Sequence, residues 1–221
     1  MPSITRRPSG GADRRLPVEA RILATTEHLL AEGESFTELG VQRIAREAGV
    51  ARSTFYMHFA DKTQLLLRLA ESFTAASFGI AGEWQPAETG RPAGGAAGLE
   101  TLVAGFREII AVYRRHSGVL AAINEVSGYE PAVRRFWRER LEQFLARTVQ
   151  VLEEEQRAAR APRDVDIPAA SRLIVIGGER FLADHVATDD GSGDEAAARE
   201  LANTWWYGVY RRPAGQEPPV D

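Results

Sequence analysis

The sequence predicts an all-α fold, with a small N-terminal helical domain followed by a larger C-terminal one. Apolar residues recur at intervals of three and four through almost every segment of useful length. No stretch alternates apolar and polar residues as a half-buried strand would. One segment, Gln85 to Gly98, holds two prolines and four glycines and breaks the helical pattern between the two parts.

Taken in order, residues 1–15 are rich in Gly, Pro, Ser and Arg and predict a mobile arm. A first helix starts near Pro17, a good first-turn residue, carries Ile22, Leu23, Leu29 and Leu30 on one side, and ends near Gly33. Short helices follow at about 40–48, 51–58 and 62–82. Beyond the Gly/Pro-rich break the periodicity predicts helices at about 99–116, 118–126, 130–158, 168–188 and 195–211.

A chain of 221 residues with 44% hydrophobic and 26% charged residues can bury a core without disulfides or metal. It has no cysteine, which excludes a disulfide framework and a thiolate metal site and fits a reducing compartment. No run approaches the roughly 18 apolar residues that a membrane span needs, so a cytoplasmic protein with no membrane partner is expected. The net charge of −4 divides unevenly: residues 1–62 carry nine basic and eight acidic residues, and the acidity lies in the remainder. The overall charge therefore does not exclude nucleic acid.

The informative segment runs from Val41 to Phe59. Ile44, Ala45 and Ala48 make the buried side of one short helix, and Phe55 and Phe59, four apart, that of the next. Gly49 stands where the chain turns sharply, Val50 fills the corner, and Ala45 is small enough for the helices to cross closely. This is the helix-turn-helix arrangement, which pushes a second helix outward into a major groove. The outward side of that helix carries Arg52, Ser53, Thr54, Tyr56 and His58 and no acid. Arg52 is suited to bidentate pairing with guanine, and Tyr56 either to a thymine methyl or to a phosphate. His58 stays open between base contact and plain surface. Arg6, Arg7, Arg14 and Arg15 of the arm suit either a minor groove or a solubilising tail.

Ile44 to Val50, then Thr54, Phe55, Tyr56, Phe59 and Lys62, resemble the motif of the tetracycline-repressor (TetR) family of regulators. The resemblance covers residues 17–65. In the C-terminal part, Glu179-Arg180 and Trp205 resemble the ethionamide-resistance-regulator branch. The resemblance implies a three-helix DNA-binding domain and a helical ligand-binding and dimerisation domain. It implies a homodimer on a near-palindromic double-stranded operator, and repression relieved by an apolar small-molecule effector. It gives phosphate contacts to Thr54, Tyr56 and Lys62, leaving Arg52, Ser53 and His58 for base edges. The expected division is an arm at 1–15, the helix-turn-helix domain at 16–62, a connecting helix at 63–84, the ligand-binding and dimerisation domain at 99–212 and a disordered tail at 213–221. The chain departs from the family at two caps: Gly40 and Ala51 stand where Ser or Thr is usual, and alanine forgoes about 0.5–2 kcal/mol of capping.

In the C-terminal part, Val133, Trp137, Leu141, Phe144, Thr148 and Leu152 form one stripe, and Leu102, Phe106, Ile109, Ile110 and Tyr113 another. These residues suit an ordinary core or an apolar cavity; the resemblance favours the cavity. The expected ligand set is Trp84, Phe106, Ile110, Tyr113, Asn124, Trp137, Leu141, Phe144 and Glu179. The last helix carries two apolar stripes, Leu201–Trp205–Val209 and Ala202–Trp206–Tyr210, and only one can face the subunit's own core. The resemblance implies a four-helix dimer interface built from the last two helices of each subunit, and the expected interface residues are Ile174, Leu201, Trp206 and Tyr210.

Nothing in the sequence points to an enzyme. The four histidines are scattered, and phosphate-binding, metalloprotease and nucleophile-elbow motifs are missing. The acidic run Asp189, Asp190, Asp194 and Glu195 lacks the glycine and final glutamate of a calcium loop and reads as solvated. No cofactor and no metal are expected. The rival reading is a DNA-binding regulator without small-molecule induction, controlled by a protein partner.

Overall fold

The computed structural model describes residues 17–83, 96–159 and 161–210. The basic arm, the tail, Trp84 and nearly all of the Gly/Pro-rich segment lie outside the described residues. The fold is all-α: α1 (Val18–Ala31), α2 (Val41–Glu47), α3 (Arg52–His58), α4 (Lys62–Glu83), α5 (Ala96–Arg115), α6 (Ser117–Ser127), α7 (Pro131–Arg157), α8 (Ile167–Thr188) and α9 (Asp194–Asn203). A π-helical turn, Thr204–Val209, continues α9. No strand occurs among the described residues.

Local chemistry sets the ends of these helices. Gly33 ends α1 at φ 89°, with its N–H donated to Leu30 O. Gly49 takes φ 66° between α2 and α3, and Val50 N–H reaches back to Ala45 O at 2.9 Å. That left-handed step costs glycine little and sets the crossing of the two helices. Gly40 and Ala51 supply no side-chain cap to α2 or α3, so the reading helix depends on packing for its order. Asp61 accepts from Gln64 N–H at 2.8 Å at the start of α4. Asp166 does the same for Ala169 at the start of α8, and Glu130 with Pro131 opens α7.

One buried cluster joins the reading module to the larger part. It runs from Ile22, Ile44 and Phe55 through Leu65, Leu66 and Phe73 of α4 to Val103, Ile110 and Ile123 of α5 and α6. A smaller cluster at the far end gathers Leu152, Ile167 and Val175 with Val209 and Tyr210. Where α6 meets α1, Gly118 lies so close to Leu30 that a Cβ would sit 2.6 Å from its carbonyl carbon. Only glycine permits that approach.

The expected dimer residues need correction. Ile174, Leu201, Trp206 and Tyr210 are all buried within the subunit's own fold. Ile174 and Leu201 pack into the subunit's own clusters from α8 and α9, and for Trp206 and Tyr210 the π turn contributes: Tyr210 N–H bonds to Trp205 O, five residues back, and the wider turn carries both side chains inward. Trp206 then packs on α5, where a Cβ at Gly98 would meet its ring at 2.6 Å. The large apolar side chains left in solvent are others. Leu173 is 73% exposed and Ile176 42%, with Phe181 beside them on α8 and Tyr207 on the π turn.

Candidate functional site

α3 is pinned from beneath by Phe55 and Phe59, both buried, which turns the rest of the helix outward. Arg52, Ser53, Tyr56 and His58 are exposed, and Thr54 is half-buried at the edge. Arg52 lies over the Tyr56 ring, 5.6 Å from its centroid, and its Nη2 donates to Tyr56 Oη at 3.4 Å. The pair is thereby partly ordered in the shape of a guanidinium–aromatic platform. Met57, next to Tyr56 and 75% exposed, is not among the residues expected from the sequence. It adds an apolar surface suited to a thymine methyl.

Lys62 does not stand free toward DNA. Its Nζ donates to Phe36 O at 2.5 Å and Thr37 O at 3.1 Å, and it lies over the Phe36 ring. Burial pushes its pKa down, with the Glu125 charge opposing. Without DNA, Lys62 forms a tie that holds the α1–α2 loop to α4, with one N–H of its ammonium left over. The same loop is gripped from α6. Glu125 accepts from Ser35 Oγ at 2.9 Å and Thr37 N–H at 3.3 Å, and Thr37 Oγ1 shares a 2.7 Å hydrogen bond with Tyr129 Oη. His116, just before α6, pairs with Glu27 of α1.

Between α4, α5, α7 and α8 lies an apolar cavity of about 100 Å³. Phe106, Tyr113, Leu141, Phe144 and Glu179 of the expected ligand set line it. Ile110 does not; it is buried in the core instead. Asn124 is exposed on α6, on the side away from the core. Trp137 stacks on Phe73 at 6.0 Å as part of the packing beneath the cavity. Ile110 and Trp137 sit on cavity-lining helices with the wrong azimuth, whereas Asn124 sits on α6, which does not line the cavity. The sequence reading missed Ser77 and Phe78 of α4, which the chain brings in by the length of that helix. Phe78 and Phe144 stack at 5.0 Å where the cavity meets an outer groove between α4 and α7, lined by Arg140, Gln143 and Arg147. Burial raises the Tyr113 phenol and the Glu179 carboxyl above their ordinary pKa values.

The acidic run after α8 is not merely solvated. Arg114 donates to Asp194 and to the Asp189 carbonyl, and His185 Nε2 lies 2.8 Å from Asp194. His185, Asp189 and Asp194 are near enough to hold a metal ion, but the Arg114 guanidinium already fills the carboxylate edge. The cluster is an ion-pair network tying α5 to α8 and α9.

A helix-turn-helix joined through a continuous core to a helical domain with an apolar cavity defines a DNA-binding transcription regulator. Bacterial regulatory proteins of the tetR family match residues 22–69, and the C-terminal domain of the transcriptional regulator EthR matches residues 102–211. The chain belongs to the TetR family of transcription regulators and is not an enzyme. The HTH-type transcriptional regulator EthR of Mycolicibacterium smegmatis is 28% identical over 208 residues, 92% of this chain and 89% of that protein. EthR of Mycobacterium tuberculosis is 29% identical over 209 residues, 93% and 91% of the two chains.

Solved structures share the fold. The fatty acid degradation regulator FadR of Bacillus halodurans superposes with a TM-score of 0.68 at 18% identity, covering 86% of this chain and 95% of that one. FadR of Bacillus subtilis in complex with stearoyl-CoA gives 0.64 at 17%, covering 86% and 98%. A regulator from Saccharomonospora viridis in complex with choline gives 0.66 at 18%, covering 88% and 98%.

Proposed function

We propose that this regulator represses transcription as a homodimer on a near-palindromic operator and leaves it when an apolar small molecule enters the cavity. The observation that carries this reading is the cavity itself, an apolar space lined by five aromatic side chains in a protein whose other end carries a helix-turn-helix. Stearoyl-CoA and choline in two structural neighbours support a small-molecule effector as such. α3 supplies the reading surface, with Arg52, Ser53, His58 and Met57 toward base edges and Thr54 and Tyr56 toward phosphate. The exposed Leu173, Ile176 and Phe181 of α8, with Tyr207, supply the surface for a second copy. No described helix is long and apolar enough to cross a membrane, and a protein that acts on the chromosome works in the cytoplasm.

Release follows by linkage. α4 carries Ser77 and Phe78 in the cavity wall and Lys62 at the reading module, and α6 holds the Ser35–Thr37 loop. A ligand that favours a spread α4 and α7 shifts the population away from the operator-binding spacing of the two reading helices. The test is a footprint on the DNA upstream of the gene. A dyad-symmetric protection with half-sites about 34–36 Å apart is expected, weakening with salt and lost on adding members of a panel of medium-chain alcohols, amines and acids. Protection that no compound in the panel disturbs overturns the induction reading and leaves control by a protein partner.

A further inference from the structure

Most of the polar side chains facing the cavity offer acceptors. The Ser77 hydroxyl donates to Phe73 O and the Thr148 hydroxyl to Phe144 O, each at 3.0 Å, so both present only lone pairs to the interior. Among the described residues Glu179 has no hydrogen-bond or ion-pair partner. Arg180, next to it in sequence, is exposed and makes no ion pair with it, though its charge opposes the effect of burial on Glu179. Tyr113 is the one interior group able to donate, through its phenol. Phe106 and Trp205, with centroids 6.2 Å apart and planes tilted by 59°, add electron-rich ring faces. Arg147 is exposed and lines the outer groove as well as the cavity, which places it at the rim.

We propose that the cavity takes an apolar molecule bearing an ammonium group, which pairs with the Glu179 carboxylate and lies against the Phe106 and Trp205 rings. The proposal rests on reading the cavity as the effector site and goes further by naming the effector's charge. A carboxylate in an apolar wall, eased only by the charge of Arg180 next to it, is costly, and a bound cation lowers that cost. Burial already pushes the Glu179 carboxyl up, and an adjacent ammonium reverses that shift. A carboxylate ligand meets repulsion from Glu179, and a neutral carbonyl finds acceptors almost everywhere. The enclosed volume of about 100 Å³ is below the roughly 150 Å³ that admits benzene. The buried part is therefore a short chain or small ring, and a longer tail passes Phe78 and Phe144 into the groove.

The probes are n-hexylammonium, n-hexanol and n-hexanoate, titrated at neutral pH into the full-length protein and into its E179Q variant, whose fold is checked by circular dichroism. Binding is read by calorimetry and by tryptophan fluorescence, since Trp205 lines the cavity. In the wild type, hexylammonium should bind at least about tenfold tighter than hexanol, and hexanoate weakest. In E179Q the preference for the amine should disappear while hexanol affinity stays within about threefold. Equal binding of amine and alcohol by the wild type, or an amine preference that survives E179Q, overturns the ammonium assignment while hexanol binding keeps the effector site. Failure of all three probes to bind overturns both.

Discussion

Ser35, in the loop between α1 and α2, donates its hydroxyl to the Glu125 carboxylate of α6 at 2.9 Å, across ninety positions of sequence. It is a direct bond between the DNA-reading module and the helix that lies beside the larger domain's core.

Glu125→Gln should therefore weaken the transmission of ligand binding to the operator. Ligand affinity should stay close to wild type, while the ligand-induced loss of operator affinity shrinks, measured by fluorescence anisotropy with and without ligand. Unchanged coupling would place the transmission in α4 alone. The same bond has a pH signature. Hydrogen bonds from Thr37, foremost, hold the Glu125 carboxyl below its ordinary value of 4.5. Its stabilisation is thus complete above that value and lost as pH falls through the lower folded value. The Tm difference between wild type and variant should narrow on acidification from about pH 6 to about pH 3.

Lys62→Ala should cost stability before it costs DNA affinity. The Phe36 and Thr37 carbonyls lose their donor, a loss of about 1–3 kcal/mol in a half-buried place. Denaturant unfolding measures it. A variant of wild-type stability with uniformly weakened DNA binding would return Lys62 to the phosphate contact that the family resemblance implies.

Arg52→Ala should relax discrimination at one operator position by about 1–3 kcal/mol and leave the subunit's stability unchanged, since the side chain is exposed and its partner is Tyr56 of the same helix. Binding to a set of single-base operator variants checks this. A uniform loss across all variants would make Arg52 a phosphate contact.

Ile176→Glu should give folded monomers. The side chain is 42% exposed near Leu173 and belongs to neither buried cluster, so the subunit loses little internal packing. Trp206→Glu should instead unfold the chain, because Trp206 is buried against α5. Sedimentation with circular dichroism distinguishes the two. A folded Ile176→Glu dimer would move the interface to another face.

Gly105→Leu should fill part of the cavity. Gly105 lines the cavity on α5, in helical backbone, and a Cβ there meets nothing within 4 Å. Replacing a mid-helix glycine should raise stability by about 1 kcal/mol, and ligand response should fall while operator affinity persists. Trp137→Ala gives the contrast: it removes a ring stacked on Phe73 and should destabilise by about 3–5 kcal/mol.

The amino-acid sequence by itself determined what neighbours along the chain decide. Helix periodicity, the glycine turn at Gly49, the buried Phe55–Phe59 pair and the missing cap at Ala51 are local matters, and they appear in the structure where the spacing placed them. Tertiary structure alone decided which way side chains of the longer helices point and what distant segments meet. One π turn after Asn203 carries Trp206 and Tyr210 into the subunit's core, and no pattern of three and four announces such a turn. Lys62 became a tie to the Phe36 and Thr37 carbonyls because the α1–α2 loop folds back over the start of α4. Glu179 faces a cavity because α5, α7 and α8 leave a space between them. Helix formation is governed by bonds four residues apart, whereas azimuth and enclosure depend on the packing of several helices at once.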